Sequence, residues 1–384
     1  MSRLPIVDDR RLASDPEASR LEPRGFDTLL AEAGRRSIPL DVSIELTHHC
    51  NFRCVHCYIP DFLAPDLLST DRVLELLDEL HAMGTLFLTL TGGELFLRRD
   101  WAMIARRARA LGFALRLFSN GVLVDDEVAD IARELWATVE ISLYSMDEEI
   151  FETITQRAGS YAKTLDGIER LRARNVPLLL KTPMMRHNAA CVRSVRTFAQ
   201  SIGAQFQASP TIVAKKDGDR TPIDLRITRT ELAEHLAATF GGGGPATGCH
   251  VDAAAVDPRI DGPQCAAASR YCNITASGDV MACNILPGSG GNLREQSFRD
   301  IWQNSPWLRQ VRSIRRRDLH TCRDCEHVSY CGRCHAQALV EDGDLYGPSR
   351  FAQMQAEILS ELDRSREPEE ADAATVGRRS PSAP

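Results

Sequence analysis

The stretch Cys50-Asn51-Phe52-Arg53-Cys54-Val55-His56-Cys57-Tyr58 holds three cysteines in C-x3-C-x2-C spacing. Just before it, Val42–Leu46 reads as a short buried strand. Three thiolates this close together can wrap one small cluster. A structural zinc site wants four protein ligands, so three is an odd number for zinc. A cubane of four irons and four sulfides held by three cysteines leaves one iron open to a substrate or cofactor. The competing arrangement is a zinc site completed by His48, His49 or His56. Spacing favours iron and sulfur but leaves both open.

Outward from this loop, strands and helices alternate. Asp71–Gly84 is an amphipathic helix with Leu74, Leu77 and Leu80 on one side and Gly84 suited to its end. Strands are expected at Leu86–Leu90, Ala114–Phe118, Thr138–Leu143, Val176–Lys181 and Ala204–Ala208. Helices are expected at Trp101–Leu111, Asp125–Leu135, Tyr161–Arg174 and Ala190–Ile202. Such repetition implies an α/β fold, a parallel sheet with helical crossovers that closes partly, as a (β/α)6 TIM-like barrel. Chemistry in such folds sits in the loops after the strands' C-terminal ends, where the cysteine loop lies.

The chain divides into an N-terminal extension (1–40), a barrel (41–240), a cysteine-rich α+β domain (241–350) and a C-terminal helix with a disordered tail (351–384). Gly241–Gly244 marks the central break. The extension carries one short helix, Phe26–Glu32, and too little apolar material for a domain.

Of 384 residues, 43% are hydrophobic, enough for a large core, and 26% are charged. Charge interrupts every stretch that could span a membrane. A net charge of −7 argues against a nucleic-acid surface. Twelve cysteines are the unusual feature: three at Cys50–Cys57, one at Cys191 and eight between Cys249 and Cys334. The N-terminus has no apolar signal-peptide core, and a chain this long does not need disulfides. Clustered cysteines in a reducing cytoplasm are metal ligands or catalytic thiols.

The cysteine loop after the first strand, together with Thr91-Gly92-Gly93-Glu94 after the second, resembles the radical S-adenosylmethionine (SAM) enzymes. The resemblance implies that Cys50, Cys54 and Cys57 hold a 4Fe-4S cluster whose free iron takes the amino and carboxylate groups of SAM. It implies that Gly92, Gly93 and Glu94 receive the methionine ammonium, since glycines let backbone approach a ligand and a carboxylate pairs with an amine. Ser119, Asn120 and Ser142 fall where the family contacts SAM, and Lys181 faces the same mouth. One-electron reduction of bound SAM would yield a 5′-deoxyadenosyl radical that abstracts hydrogen from the substrate.

Further along, Cys265-x12-Gly278-x4-Cys283 precedes Cys322-x2-Cys325-x5-Cys331-x2-Cys334. With Gly291-Asn292-Leu293 and Phe298-Arg299-Asp300-Ile301-Trp302, this is similar to the SPASM extension, which carries auxiliary iron–sulfur clusters. The resemblance implies one auxiliary cluster on Cys265, Cys272, Cys283 and Cys334, and a second with three ligands, Cys322, Cys325 and Cys331. No cysteine follows Cys334, and Gly347-Pro348-Ser349 stands where the last ligand is expected. Asp342, Asp344 or His335 are candidate replacements. In isolation the paired cysteines would suggest structural zinc. Cys191, on an expected helix, reads as a small buried hydrophobe. Cys249 reads as a free cysteine or an alternative ligand. Met184 and Met185 are expected to line the barrel, and Arg106–Arg109 to form a solvated face.

The SPASM subset implies modification of a peptide or protein: crosslinking, oxidation, epimerisation or decarboxylation. The alternative is a small-molecule enzyme of the same architecture, acting on a sugar, tetrapyrrole or cofactor precursor. A third class is a non-catalytic iron–sulfur electron carrier, which would need no SAM motif. Implied partners are an electron donor such as flavodoxin or ferredoxin, and a separate leader-peptide-binding protein, because residues 1–40 are too few for a leader-binding domain.

Overall fold

The computed structural model describes residues 24–240 and 263–365. The expected break at Gly241–Gly244, Cys249 and the tail after Ser365 lie outside the described residues. Six strands run parallel and in sequence order: β1 (Asp41–Glu45), β2 (Phe87–Thr91), β3 (Ala114–Ser119), β4 (Thr138–Ser142), β5 (Leu178–Pro183) and β6 (Gln205–Ser209). Each matches its expected position to within about two residues. The sheet continues past β1: β7 (Tyr271–Ile274) pairs parallel with it, followed by antiparallel β8 (Asp279–Met281) and β9 (Ser289–Asn292). Strands β6 and β9 end the sheet, so the barrel is open. The cysteine-rich segment thus shares a sheet with the barrel.

The crossovers are α2 (Thr70–Ala82), α3 (Trp101–Ala110), α4 (Asp126–Glu134), α5 (Glu148–Thr155), α6 (Ser160–Ala173) and α7 (Val192–Ser201), with α1 (Arg24–Arg36) ahead of β1. Capping explains several starts. Ser69, Asp125 and Asp147 each accept a backbone N–H from the first turn of α2, α4 and α5. The helix α5 was not anticipated; Asp147 is its start signal. In α2 the buried side chains are Val73, Leu76, Leu77 and Leu80, while Leu74 is only half-buried.

The strands' period of two divides the sheet into unlike faces. Val42, Ile44, Leu88, Leu90, Leu115, Leu117, Val139, Ile141 and Leu180 are buried in the main core, each contributing roughly 1.5–3 kcal/mol. The alternate positions include several polar side chains, and some of these form ion pairs. Arg116 meets Asp41 at 2.6 Å and Lys216 meets Glu45 at 2.7 Å. Asn273 of β7 donates to the same Glu45, and Lys181 pairs with Glu140 while lying over the Phe118 ring. A barrel built this way has a hydrophobic wall and a charged interior.

After α8 (Arg229–Phe240) and the sheet extension come α9 (Phe298–Asn304), α10 (Pro306–Ser313), α11 (His335–Asp342) and α12 (Arg350–Arg364). Trp302 of α9 donates its indole N–H to Ser37 O at 2.6 Å, tying the extension to the end of α1. Helix α12 returns to the barrel. Phe351 and Ile358 join Leu232 and Leu236 of α8, together with Met184 and Val192, in a second apolar cluster. Met184 therefore packs outside the lumen, and Met185 belongs to the main core. Arg106 and Arg107 form exposed ion pairs with Glu134 and Asp78.

Candidate cluster and cofactor site

The loop after β1 is shaped by three neighbouring loops. Past β2, Gly93 N–H donates to Thr47 O and Glu94 N–H to His49 O, both at 2.8 Å. A Cβ on Gly93 would stand 2.3 Å from His49 O, and one on Gly92 2.5 Å from Thr47 O. The glycine pair is thus required by the approach of two chain segments, not only by a ligand. From the other side, Arg53 N–H and Val55 N–H bond Thr155 O and Ile154 O. The cysteine loop in this way satisfies carbonyls that the end of α5 leaves orphaned. Arg157 donates to Asn51 O at 2.7 Å.

This scaffold brings Cys50, Cys54 and Cys57 within electrostatic reach of one another. Burial dominates and pushes the Cys50 thiol to about 11 and the Cys54 thiol to about 12. Buried thiols without a cation stay neutral; bound iron would supply the missing positive charge and hold them as thiolates. The donor set therefore fits the cluster. Among the described residues no three His, Cys, Asp or Glu side chains converge tightly enough for one metal ion. A cubane holds its ligands outside its corners, wider apart. Of the candidate zinc histidines, His48 bonds Ser277 Oγ at 2.9 Å and His49 bonds Phe62 O at 3.1 Å. His56 is buried edge-on to Tyr144 with Nδ1 unpartnered, and burial lowers its pKa to about 4.

Glu94 is 1% exposed. Its carboxylate accepts from Ser119 Oγ at 2.8 Å, Asn120 N at 2.7 Å and Phe96 N at 3.2 Å. Burial outweighs these bonds and raises its pKa to about 6. A carboxylate has about four acceptor positions, so three are committed to tying the loops together and roughly one remains for an ammonium. Asn120 in turn donates to Asn51 Oδ1 at 2.5 Å. Ser119, Asn120 and Glu94 thus form one network against the cysteine loop. Ser142 stands level with Lys181 and beside the Tyr144 phenol.

Sequence reading passed over two tyrosines. Tyr144, two residues beyond β4, has its hydroxyl 3.6 Å from Cys54 Sγ. Tyr58 is half-buried near Cys57 and Cys283, with its hydroxyl bonded to the Asn284 side chain. Lys216 covers it: its N–H donates to Tyr58 O, and its ammonium lies 5.2 Å from the ring centroid. The available signal was an aromatic residue directly after the third cysteine.

The distal cysteines fall into two groups. Cys265, Cys283 and Cys334 reach one another electrostatically; Cys265 is exposed, and burial pushes Cys283 to about 12. Cys322, Cys325 and Cys331 form the other group, with Cys331 pushed to about 12. Cys272 joins neither. It is fully buried in the main core, its charged neighbours being Asp41 and Arg312. Within β7, Cys272 faces the opposite way from Tyr271 and Asn273, and Cys283 follows the end of β8. Cys191 is half-buried just before α7, outside the hydrophobic core.

Residues 44–198 match the model of the radical SAM superfamily, and residues 265–326 match the iron–sulfur cluster-binding domain SPASM. The chain is 27% identical over 329 residues to an AdoMet-dependent heme synthase of Methanosarcina barkeri, covering 80% of this chain and 94% of that protein. It is 29% identical over 332 residues to a PqqA peptide cyclase of Xanthomonas euvesicatoria pv. vesicatoria, covering 80% and 85%. Its fold matches that of Streptococcus suis SuiB bound to the precursor peptide SuiA, with a TM-score of 0.68, 15% identity, and coverage of 91% and 83%.

Proposed function

The chain is a radical SAM enzyme with a C-terminal SPASM domain, and from that premise we propose that it modifies a side chain of a peptide or protein. The observation that carries this reading is the likeness to a peptide cyclase over most of both chains. Cys50, Cys54 and Cys57 would hold the 4Fe-4S cluster; with SAM bound and one electron delivered, it supplies a 5′-deoxyadenosyl radical for hydrogen abstraction. Gly92, Gly93 and Glu94 would receive the methionine end, and Ser119, Asn120 and Ser142 would complete the cofactor's surroundings. The Lys216–Glu45 pair and the Tyr58 ring close one side of the mouth, where exclusion of water protects a radical. Cys265, Cys283 and Cys334 would hold one auxiliary cluster, and Cys322, Cys325 and Cys331 three corners of another. Cys272, the fourth ligand that the resemblance implies, is buried in the main core beside Asp41 and Arg312, so this reading would take the fourth ligand from elsewhere.

An external electron donor such as flavodoxin or ferredoxin, and a separate leader-binding protein, belong to the same reading, as does a reducing cytoplasm. No described helix is long and apolar enough to cross a membrane. A second reading, modification of a tetrapyrrole or another small molecule, is favoured by the heme synthase likeness, which spans nearly that whole protein. The two readings separate in one experiment. Anaerobically reconstituted protein, SAM and reductant are incubated with candidate peptides, including any short peptide encoded near its gene, or with a porphyrin. 5′-Deoxyadenosine with a mass change in the peptide supports the first reading. Turnover with the porphyrin alone overturns it.

A further inference from the structure

Arg333 lies in sequence between Cys331 and Cys334, one cysteine from each of the two distal groups. It is 5% exposed. Its guanidinium donates to Gly347 O through Nε at 2.8 Å and Nη2 at 2.6 Å, and to Leu345 O at 2.6 Å. Its remaining arm meets His335 Nδ1. Among the described residues no carboxylate pairs with it; Asp344 feels its field, but pairs instead with His320. Burying a guanidinium, which stays protonated, costs several kcal/mol unless negative charge stands nearby. The groups within its electrostatic reach are cysteines, Cys265 and Cys334 of one group and Cys322 and Cys331 of the other, which would carry negative charge as ligands of a bound cluster.

The geometry also explains why the side chain cannot leave. Its carbonyl partners belong to the Leu345–Gly347 turn, where a final cysteine ligand is expected. There, Ser349 Oγ is instead committed to Gln337 Oε1 at 2.5 Å. Of the candidate replacements near that turn, His335 meets Arg333 and Asp344 meets His320, while Asp342 meets Arg350 through Oδ1 only and keeps Oδ2 buried without a partner. The turn thus offers this group a fixed cation in place of a fourth thiolate.

We propose that Arg333 is a shared counter-ion for the two distal cysteine groups, holding both auxiliary clusters at a higher reduction potential than they would have without it. The proposal rests on the reading that these cysteines hold iron–sulfur clusters. Its physical basis is that net charge, hydrogen bonding and solvent exposure set a cluster's potential. A fixed positive charge favours the reduced, more negative cluster, and one charge facing both clusters shifts both in the same direction. Arg333 acts as a positioning residue for electron flow, without touching substrate.

The test uses the full chain carrying Cys54→Ala, which silences the SAM cluster, reconstituted anaerobically. Iron and sulfide are counted, and the auxiliary signals are titrated by electron paramagnetic resonance against potential. With Arg333→Gln, both midpoints are expected to move to lower potential at unchanged iron content. With Arg333→Lys, which keeps the charge, both should stay near the parent values. Midpoints that stay put in Arg333→Gln, or move for one cluster only, overturn the proposal. If Arg333→Gln fails to hold iron, Arg333→Lys decides: parent-like midpoints sustain the proposal, and loss of iron there too reduces Arg333 to a scaffold. A parent protein without auxiliary iron would overturn the cluster reading itself, a result distinct from any of these.

Discussion

The two cysteine regions reach their geometry by opposite routes. The proximal three sit on one loop, and neighbouring loops of a rigid parallel sheet clamp it from both sides. The distal six come from separate segments, from Cys265 before β7 to Cys334 at the head of α11, and are gathered by a hairpin, a turn and the returning α12. A local constellation is set by spacing. A dispersed one is set by register and packing, which spacing does not encode.

The strongest break of this contrast is Cys54→Ala. It should abolish 5′-deoxyadenosine formation while iron falls by only about four atoms per chain, leaving the distal clusters filled. Loss of all iron would show that the two regions do not load independently. Next comes a pair in the distal region. Cys283→Ala should remove about four irons, whereas Cys272→Ala should keep the full count and cost about 1 kcal/mol as a small core truncation. Equal iron loss in both would refute the register argument for Cys272.

Gly93→Ala tests the proximal clamp. Its Cβ would meet two backbone carbonyls below 3 Å, so a loss of about 3 kcal/mol is expected in chemical unfolding. Gly34→Ala, in α1 with open space around it, should be neutral or stabilising by about 0.5–1 kcal/mol. The mildest test is pH. The Glu94 carboxylate, raised to about 6 by burial, organises Asn120 only while ionised. SAM affinity measured by calorimetry should therefore weaken as pH falls through about 6. The linkage to folding has the opposite sign. Burial penalises the charged form, so this group's stabilising contribution is complete below the ordinary carboxyl value and fades as pH rises through about 6. A Glu94→Gln variant whose SAM affinity falls as steeply across the same range would place the titration elsewhere.

Much of the barrel was legible because its strands carry unbroken apolar positions on one face and its helices are punctuated by Ser, Asp and Gly. The cysteine loop and Gly92-Gly93-Glu94 were legible because local spacing is preserved in the sequence. Counting cysteines groups Cys272 with Cys265, Cys283 and Cys334 but ignores parity, and in the structure it lies in the main core with Asp41 and Arg312 as its charged neighbours. The tyrosines at 58 and 144 went unread because a lone aromatic residue resembles core. The continuity of the sheet through β7 was invisible, since nothing in Tyr271–Ile274 announces a parallel partner so far upstream.

That continuity has a kinetic side. Asn273 of β7 reaches Glu45 of β1 across 228 positions of sequence. Strand β1 therefore leaves the ribosome well before β7 and gains its second neighbour only when β7 arrives. Until β7 arrives, one edge of β1 offers unpaired N–H and C=O groups to any passing strand. Long-range parallel pairing of this kind is slow to form. A nascent or truncated chain ending near residue 240 carries that open edge for as long as it exists, so its hazard is self-association. The later-made β7 thus acts as a folding cap for the earlier-made β1.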